Sequence, residues 1–349
     1  MHKKKVFFLY TEVATYFTSC IEELSPAAEI HVIRYPVNKE APFEFKNKDS
    51  SIKFYERNDY SYSDLLKLVN SINPDAIFCS GWIDKGYLKI CKSYFSKIPT
   101  VLCMDTKWNG NVKQRIGSIV SPFVISNKFS HAWVPGNTQK QSALKLGIKE
   151  SKIKLGYYCA DTNYFTNCYL DFKEGKIQAY PKRLLYVGRY YDFKGITDLW
   201  AAFIALQTEQ PNDWELWCLG TGDIKPIEHD KIKHFGFVQP NELSKFIEQC
   251  GAFVLPSRFE PWAVVVHEFA AAGMPLILSS EVGAKELFLK KEENGFEFES
   301  RNISDLKDKL KKLFNLSNES LNLMSERSNV LSQQLTIEKW CNTALEIIK

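Results

Sequence analysis

The sequence AFVLPSRFEPWAVVVHEFAAAGMPLILS at residues 252–279 contains the clearest pattern of secondary structure in the chain. The apolar run at 252–256 predicts a buried strand, and a short loop with Glu260 follows it. A helix is predicted over 263–272, and a Gly-Met-Pro turn ends it before a second apolar run at 276–279. A strand, a helix and another strand in such close succession predict a parallel β-α-β unit.

The same alternation extends over most of the chain. Further strands are predicted at residues 6–10, 30–34, 76–80, 100–104, 131–134, 153–157, 184–187, 214–219 and 232–235. Helical periodicity occupies residues 63–69, 87–95, 112–119, 138–146, 196–207, 241–249 and much of 303–349. This pattern predicts the α/β class with two Rossmann-like domains facing a central cleft, because ligands of parallel sheets bind at strand carboxyl ends and domain interfaces.

The polar stretch at 166–181 interrupts the alternation and is interpreted as a linker. We therefore expect an N-terminal domain over residues 1–165 and a C-terminal domain over residues 180–335. The final segment, 336–349, offers an apolar helix face that includes Trp340. It is expected to pack back on the N-terminal domain.

The net charge of +4 conceals an asymmetry between the two halves of the chain. Residues 1–160 carry 23 lysines and arginines against 14 acids, a net +9, whereas the remainder carries a net −5. Such a basic half attracts polyanions or an anionic membrane surface, unless the charges only solvate helix faces. The stretch 112–120 reads as a short basic amphipathic helix, either membrane-facing or sheet-covering. No dense basic run matches a nucleic-acid-binding pattern, so nucleic acid is an unlikely partner.

Cysteine usage and the N-terminus bear on the cellular compartment. The nine cysteines are scattered and contain no C-x-x-C pair, which indicates reduced thiols rather than a disulfide framework or a zinc site. The basic start is followed by a five-residue apolar run, too short for the core of a signal peptide. We expect the protein to remain in the cytoplasm.

Two carboxylates in the opening stretch could bind one ligand. Glu260 lies in the loop where it and the free N–H groups of the following helix could face the same molecule. Glu268 lies two turns further on, where it could accept hydrogen bonds from a ribose diol. Two glutamates eight positions apart also arise by chance on exposed helices, so the surrounding strand, loop and helix carry the interpretation.

This segment resembles the E-x7-E motif of retaining GT-B glycosyltransferases, most closely glycosyltransferase family 4. The resemblance implies that Glu260 contacts hydroxyls of the donor sugar and that Glu268 holds the nucleotide ribose. Residues 185–189 followed by Lys194 and a glycine resemble the V-G-R…K-G element of the family. Arg189 and Lys194 are cations near a helix start, as a diphosphate leaving group requires.

Other segments resemble the family in the same order along the chain. The resemblance implies that the nucleotide sugar also contacts Gly188, Gly220, Phe237, Val238, Pro261, Trp262, Ala263 and Val264. The match covers about residues 156–286, and it departs from the family at a loop that keeps only Gly283 of a usual glycine pair. In the first domain, Asp105 stands where many members have a histidine facing the donor sugar. It either takes that catalytic place or caps the following turn.

The resemblance implies a retaining transfer of a hexose from a nucleotide sugar to a glycan or lipid-linked acceptor. The first domain would serve the acceptor and the second the donor, in bacterial surface polysaccharide assembly at the inner face of the cell membrane. The absence of a D-x-D pair and of metal-ligand spacing predicts metal independence. No cofactor is expected besides the donor, for which UDP-sugars are favoured over GDP- or ADP-sugars.

Four other functions are consistent with the same sequence. Within the enzyme class, an inverting transferase or a sugar-nucleotide epimerase would need a base, for which Glu12 and Asp105 are candidates. Outside it, the scaffold could bind sugar nucleotides or glycans without catalysis. A DNA-modifying glycosyltransferase would fit the +9 charge of the first half.

Overall fold

The computed structural model describes residues 3–37, 43 and 49–349, and the chain forms two compact units. The first unit comprises Met1–Cys159 together with Ile337–Lys349, and the second comprises Ala160–Thr336. Because each unit has its own parallel sheet with helices, the predicted α/β class is confirmed.

The first unit is built on a parallel sheet with the order β3-β2-β1-β4-β5-β6-β7. Its described strands are β1 (Lys4–Leu9), β2 (Ala28–Arg34), β3 (Lys53–Glu56), β4 (Ala76–Ser80), β5 (Thr100–Cys103), β6 (His131–Val134) and β7 (Ile153–Leu155). Its helices before the second unit are α1 (Thr15–Leu24), α2 (Tyr62–Ile72), α3 (Lys85–Tyr94), α4 (Val112–Val124) and α5 (Asn137–Lys145). Strands β1 and β4 are buried almost throughout, which explains their continuous apolar runs.

The second unit repeats this plan with the sheet order β10-β9-β8-β11-β12-β13. Its described strands are β8 (Arg183–Val187), β9 (Glu215–Leu219), β10 (Ile232–His234), β11 (Ala252–Leu255), β12 (Leu276–Ser279) and β13 (Gly295–Phe298). Its helices are α6 (Thr162–Gln178), α7 (Ile196–Glu209), α8 (Ser244–Gln249), α9 (Val264–Ala271), α10 (Lys285–Phe288), α11 (Ile303–Phe314) and α12 (Asn318–Ser332). The predicted β-α-β unit corresponds to β11, α9 and β12, whose strands pair in parallel.

The C-terminal helix α13 (Ile337–Ile348) belongs to the first unit, where it packs against α1. The indole of Trp340 lies 4.7 Å from that of Trp133, centroid to centroid. Its Nε1–H donates to the carbonyl of Tyr157 at 2.7 Å. The apolar face of the segment therefore buries itself in the first unit, together with Ile347 and Ile348.

The linker prediction for residues 166–181 is wrong, because most of this stretch lies in helix α6. Asp161 caps the helix by accepting a hydrogen bond from the N–H of Tyr164 at 3.1 Å. The helix buries only a few side chains, among them Phe165 and Cys168, so its sequence looks polar. It packs against α8, α9 and α12 of the second unit. The units accordingly divide after Cys159, and not at residue 165.

Candidate functional site at the carboxyl edge of the second sheet

The order of the second sheet creates a crevice beside its first strand. From β8 the chain proceeds outward to β9 and β10, and then returns to β11 on the other side of β8. The loops that follow β8 and β11 therefore leave the sheet in opposite directions, which is where open α/β sheets bind their ligands. The loop after β8 carries Arg189 and Lys194, and the loop after β11 carries Glu260.

Lys194 and Glu260 meet at this crevice. The Lys194 ammonium donates to Oε2 of Glu260 at 2.5 Å, and the hydroxyl of Ser257 donates to the same oxygen at 3.1 Å. Both charged side chains are largely buried. One cation and one carboxylate that sequence reasoning assigned to a single ligand are thus brought together by the fold. Ser257 was not predicted as a site residue.

Close backbone contacts fix the two loops against each other. Gly195 adopts φ +68°, and a Cβ at this position would lie 2.1 Å from the carbonyl oxygen of Pro256. Only glycine therefore allows the turn that carries Lys194 to approach the end of β11. The chain after β9 approaches the loop after β8 just as closely at Gly220. A Cβ on Gly220 would lie 1.9 Å from the carbonyl oxygen of Gly188.

Arg258 joins the same two loops and was missed as a functional candidate. Its guanidinium binds the carboxylate of Asp198 through two hydrogen bonds of 2.9 and 2.7 Å, and it donates to Asp192 at 2.5 Å. The N–H groups of Arg258 and Phe259 both donate to the carbonyl of Phe193. These carboxylates raise the pKa of Arg258, which stays charged. Its signal in the sequence was weak because its partners lie about 60 positions away.

Helix α9 begins directly after the Glu260 loop. Ala263 precedes it with φ +85°, a conformation that costs energy for any residue with a Cβ. No side chain of the described residues caps this helix, and the N–H groups and dipole at a helix start attract anions. The indole of Trp262 is buried in the core, so donor contacts predicted at Trp262 could come only from its backbone. Pro261 and Val264 flank it and are half-buried.

The loop after β12 closes over the segment that contains Glu260. The N–H of Gly283 donates to the carbonyl of Glu260 at 3.0 Å, and the N–H of Ala284 donates to that of Trp262 at 2.9 Å. A Cβ on Gly283 would lie 2.0 Å from the carbonyl oxygen of Pro261. The single glycine that remains in this loop is therefore the one that the packing requires.

Glu268 is half-buried on α9, and burial raises its pKa to about 7, with a smaller contribution from Asp161. Its neighbour His267 is buried and structural. Nδ1 of His267 accepts from the N–H of Ala160 at 3.1 Å, and Nε2 lies 3.0 Å from the carbonyl of Ser332. Burial lowers the pKa of His267 to about 4, so it is neutral at pH 7.

The segment with Phe237 and Val238, which is predicted to contact the nucleotide sugar, follows β10. The N–H of Gly220 donates to the carbonyl of Gly236 at 2.7 Å, which holds the ends of β9 and β10 together. Phe237 and Val238 come next and are half-buried. Their contacts with a nucleotide stay a prediction, as do those of Gly188.

Asp105 lies in the first unit, two residues after the end of β5. Burial raises the pKa of Tyr158, and the charge of Asp105 adds to this effect. The catalytic role of Asp105 stays a prediction, as does the diphosphate-binding role of Arg189. Among the described residues, no group of three or more His, Cys, Asp and Glu side chains is arranged to hold a metal ion. None of the described helices is both long and apolar enough to cross a bilayer.

Residues 181–315 match the family model of the glycosyl transferases group 1. An uncharacterized glycosyltransferase of Haemophilus influenzae is 31% identical over 168 residues, which are 45% of this chain and 46% of the relative. A glycogen synthase of Mycobacterium tuberculosis is 36% identical over 115 residues, 30% of this chain and 28% of the relative. The chain thus spans less than half the length of these curated relatives.

Solved structures are similar over nearly the whole chain. A glycosyltransferase of Rickettsia africae superposes with a TM-score of 0.74 at 15% identity, covering 100% of this chain and 98% of that one. The Anabaena protein HepE in complex with UDP and glucose superposes with a TM-score of 0.72 at 14% identity, covering 99% of each. The fold is therefore GT-B, and the predicted resemblance to GT-B glycosyltransferases is confirmed.

Proposed function

We propose that this chain is a retaining, metal-independent glycosyltransferase that transfers a hexose from a nucleotide sugar to an acceptor hydroxyl. The observation that carries the proposal is the Lys194–Glu260 pair, 2.5 Å apart beside the crevice between the diverging loops of β8 and β11. An ammonium for a diphosphate and a carboxylate for sugar hydroxyls are both needed where the glycosidic bond breaks.

In the proposed mechanism, Glu260 accepts hydrogen bonds from donor-sugar hydroxyls and orients the ring without attacking it. Lys194 and Arg189 offset the charge that grows on the β-phosphate as the bond to the anomeric carbon breaks. The departing phosphate oxygen takes the proton of the acceptor hydroxyl, whose oxygen bonds to the anomeric carbon from the same side. This sequence retains the anomeric configuration and requires no protein nucleophile.

The donor proposed is a UDP-sugar, with Glu268 holding the ribose. Two structural neighbours support this choice: HepE binds UDP and glucose, and a trehalose-6-phosphate protein from E. coli binds UDP-2-fluoro glucose. The group 1 family match at residues 181–315 lies within the second unit and includes Lys194, Glu260 and Glu268. The choice of donor, the choice of acceptor and the metal independence are all part of the proposed function.

The acceptor proposed is a glycan or a lipid-linked glycan, in bacterial surface polysaccharide assembly at the cytoplasmic face of the membrane. The first unit carries a net charge of +9 and the second −5, so the positive field that attracts anionic lipid belongs to the first unit. Helix α4 adds exposed apolar side chains, Val112 at 71% and Ile116 at 60% exposure.

The proposal is tested by donor turnover in chelator-treated buffer, using a panel of nucleotide hexoses. Lys194→Ala and Glu260→Ala should each lower turnover about 10²–10³-fold, and Arg189→Ala should lower it in the same direction. Lys182→Ala, which removes a half-exposed lysine just before β8, serves as the matched control. Wild-type turnover in all three site variants would overturn the assignment, and NMR of the product anomer tests retention.

Two competing functions have distinct outcomes in the same experiment. A binding module without catalysis would bind a nucleotide sugar but release no nucleotide from any donor. A DNA-modifying transferase would bind duplex DNA with a steep salt dependence. The direct Lys194–Glu260 pairing favours the transferase, because a pure binding site has no need to bring a leaving-group cation to the sugar carboxylate.

A further inference from the structure

Two exposed phenylalanines flank the Lys194–Glu260 pair. Phe193 is 44% exposed and Phe259 is 46% exposed, and each directly precedes one member of the pair in the sequence. Single exposed apolar residues are ordinary on protein surfaces. These two differ because both belong to the loops that form the candidate site.

The backbone holds the two residues beside each other. The N–H of Phe259 donates to the carbonyl of Phe193 at 3.2 Å, and the Arg258 side chain binds Asp192 in the turn that contains Phe193 and Asp198 in the first turn of α7. The ring of Tyr191 stacks on that of Phe193 with centroids 5.7 Å apart. The aromatic edge, defined as Tyr191, Phe193 and Phe259, is therefore anchored to the site loops.

Charged groups border this edge closely. The Lys194 ammonium lies 5.6 Å from the centre of the Phe193 ring while it donates to Glu260. Arg258 and Asp192 pair next to the same turn. A hydrocarbon chain laid over the rings would remove water from these charges without replacing their hydrogen bonds, which is costly. A pyranose ring offers an apolar C–H face to the aromatic rings and hydroxyls to the charged groups.

We propose that the aromatic edge binds a sugar ring of the acceptor, and that the acceptor is a neutral oligosaccharide at this position. This inference rests on the proposed transferase function. The acceptor ring stacks on Phe193 and Phe259, and the edge therefore selects acceptors by their apolar ring face. Nothing in the donor chemistry requires either phenyl group.

The test uses the full-length protein and the nucleotide hexose that it hydrolyses fastest without acceptor. Transfer is measured to maltotetraose, cellotetraose and chitotetraose. The double variant Phe193→Ala with Phe259→Ala should raise the acceptor KM about tenfold or more. Donor hydrolysis and UDP affinity should stay within about twofold of wild type, because the truncations spare the donor contacts. Phe193→Tyr with Phe259→Tyr should restore acceptor KM, and Leu323→Ala, at an exposed position on α12, is the control.

Each other outcome overturns the inference. An unchanged acceptor KM, or a donor KM that rises equally, removes the aromatic edge from acceptor binding. Donor hydrolysis without transfer to any of the three oligosaccharides refutes the acceptor class and leaves the transferase proposal standing. Loss of flotation with vesicles of phosphatidylglycerol and phosphatidylcholine, at unchanged acceptor KM, would assign the rings to lipid. The absence of UDP binding and donor turnover in the wild type would overturn the proposed function first, and this inference with it.

Discussion

At the scale of single residues, the two glutamates of the candidate site have different neighbours. Glu260 has Lys194 and Ser257 as partners, both on its Oε2. Glu268 lies instead beside another acid, Asp161, and its burial favours the protonated form. The two glutamates of one sequence motif therefore lie in different electrostatic environments.

The Glu268 environment predicts a pH-dependent stability. The unfolded carboxyl has an ordinary pKa of 4.5, and the folded one has a pKa of about 7. Below pH 4.5 the carboxyl of Glu268 is protonated in both states and the folded protein keeps its full stability. As pH rises through 7, the folded protein loses this stability because the buried carboxyl must ionise. Relative to wild type, Glu268→Gln should gain about 1–3 kcal/mol in free energy of unfolding between pH 5 and pH 8. Urea denaturation at both values measures this.

Glu319→Gln is the matched control for that experiment, because Glu319 is exposed in the first turn of α12. Like most exposed surface substitutions, it should change the free energy of unfolding by less than about 0.5 kcal/mol. Equal pH profiles for wild type and Glu268→Gln would show that the carboxyl of Glu268 titrates normally in the folded protein.

At the scale of elements, the site depends on how two loops are joined. Arg258 extends from the loop after β11 to Asp198 in the first turn of α7 and to Asp192 in the turn before it. Besides Arg258, the Lys194–Glu260 ion pair and two backbone hydrogen bonds to the carbonyl of Phe193 join the turn that carries Lys194 to the Glu260 loop. We expect Arg258 to position Lys194 rather than to contact the substrate.

Arg258→Ala should lower the free energy of unfolding by about 2–3 kcal/mol, since it leaves the buried Asp198 carboxylate without its bidentate partner. Arg258→Lys should recover only part of this loss, because an ammonium cannot form the planar two-bond contact. Lys245→Ala breaks an exposed pair with Glu242 and should cost less than about 1 kcal/mol. Equal losses for Arg258→Ala and Lys245→Ala in urea denaturation would contradict the positioning role.

The start of α9 predicts a stabilising substitution. Ala263 adopts φ +85°, where a Cβ is strained and glycine is not. Ala263→Gly should therefore raise the free energy of unfolding by up to about 1 kcal/mol. Thermal unfolding measures this change. Ala270→Gly, in the interior of the same helix, is the control and should destabilise the protein. A destabilising effect at both positions would show that the backbone at Ala263 is unstrained.

The sequence predicted the strands that are clear apolar runs and missed several elements without such a run, including the mostly buried β13. The strands at residues 131–134 and 276–279 have the predicted bounds because each is an apolar run inside a sheet. Strand β3 was not predicted, since no residue of Lys53–Glu56 is fully buried. Helix α1 was also missed, as was the short strand β13.

The candidate site shows the same limit. Glu260 and Lys194 were found because each lies in a motif readable over a few residues. The contacts of Ser257 and Arg258 join loops that only the folded sheet brings together. Local sequence carries no trace of such a contact. Helix α6 was interpreted as a linker because its few buried side chains give no clear apolar periodicity.

At the scale of the whole molecule, the two units differ more in net charge than in fold. Both have parallel sheets, yet the first carries +9 and the second −5. The protein should therefore float with anionic vesicles at low salt and detach as salt screens the attraction. Neutral phosphatidylcholine vesicles are the control. Equal flotation with both vesicle types, or none, would remove the membrane from the proposal and leave the transferase intact.

The most direct test of the donor site is a calorimetric titration with UDP. Lys182 directly precedes β8 and Lys194 lies in the loop that follows it, so their alanine variants remove the same charge on opposite sides of the strand. We predict that Lys194→Ala weakens UDP binding about tenfold or more, as expected for the loss of a charge-assisted contact, whereas Lys182→Ala binds like wild type. Equal affinity of wild type and Lys194→Ala for UDP would contradict the assignment of the carboxyl edge as the donor site.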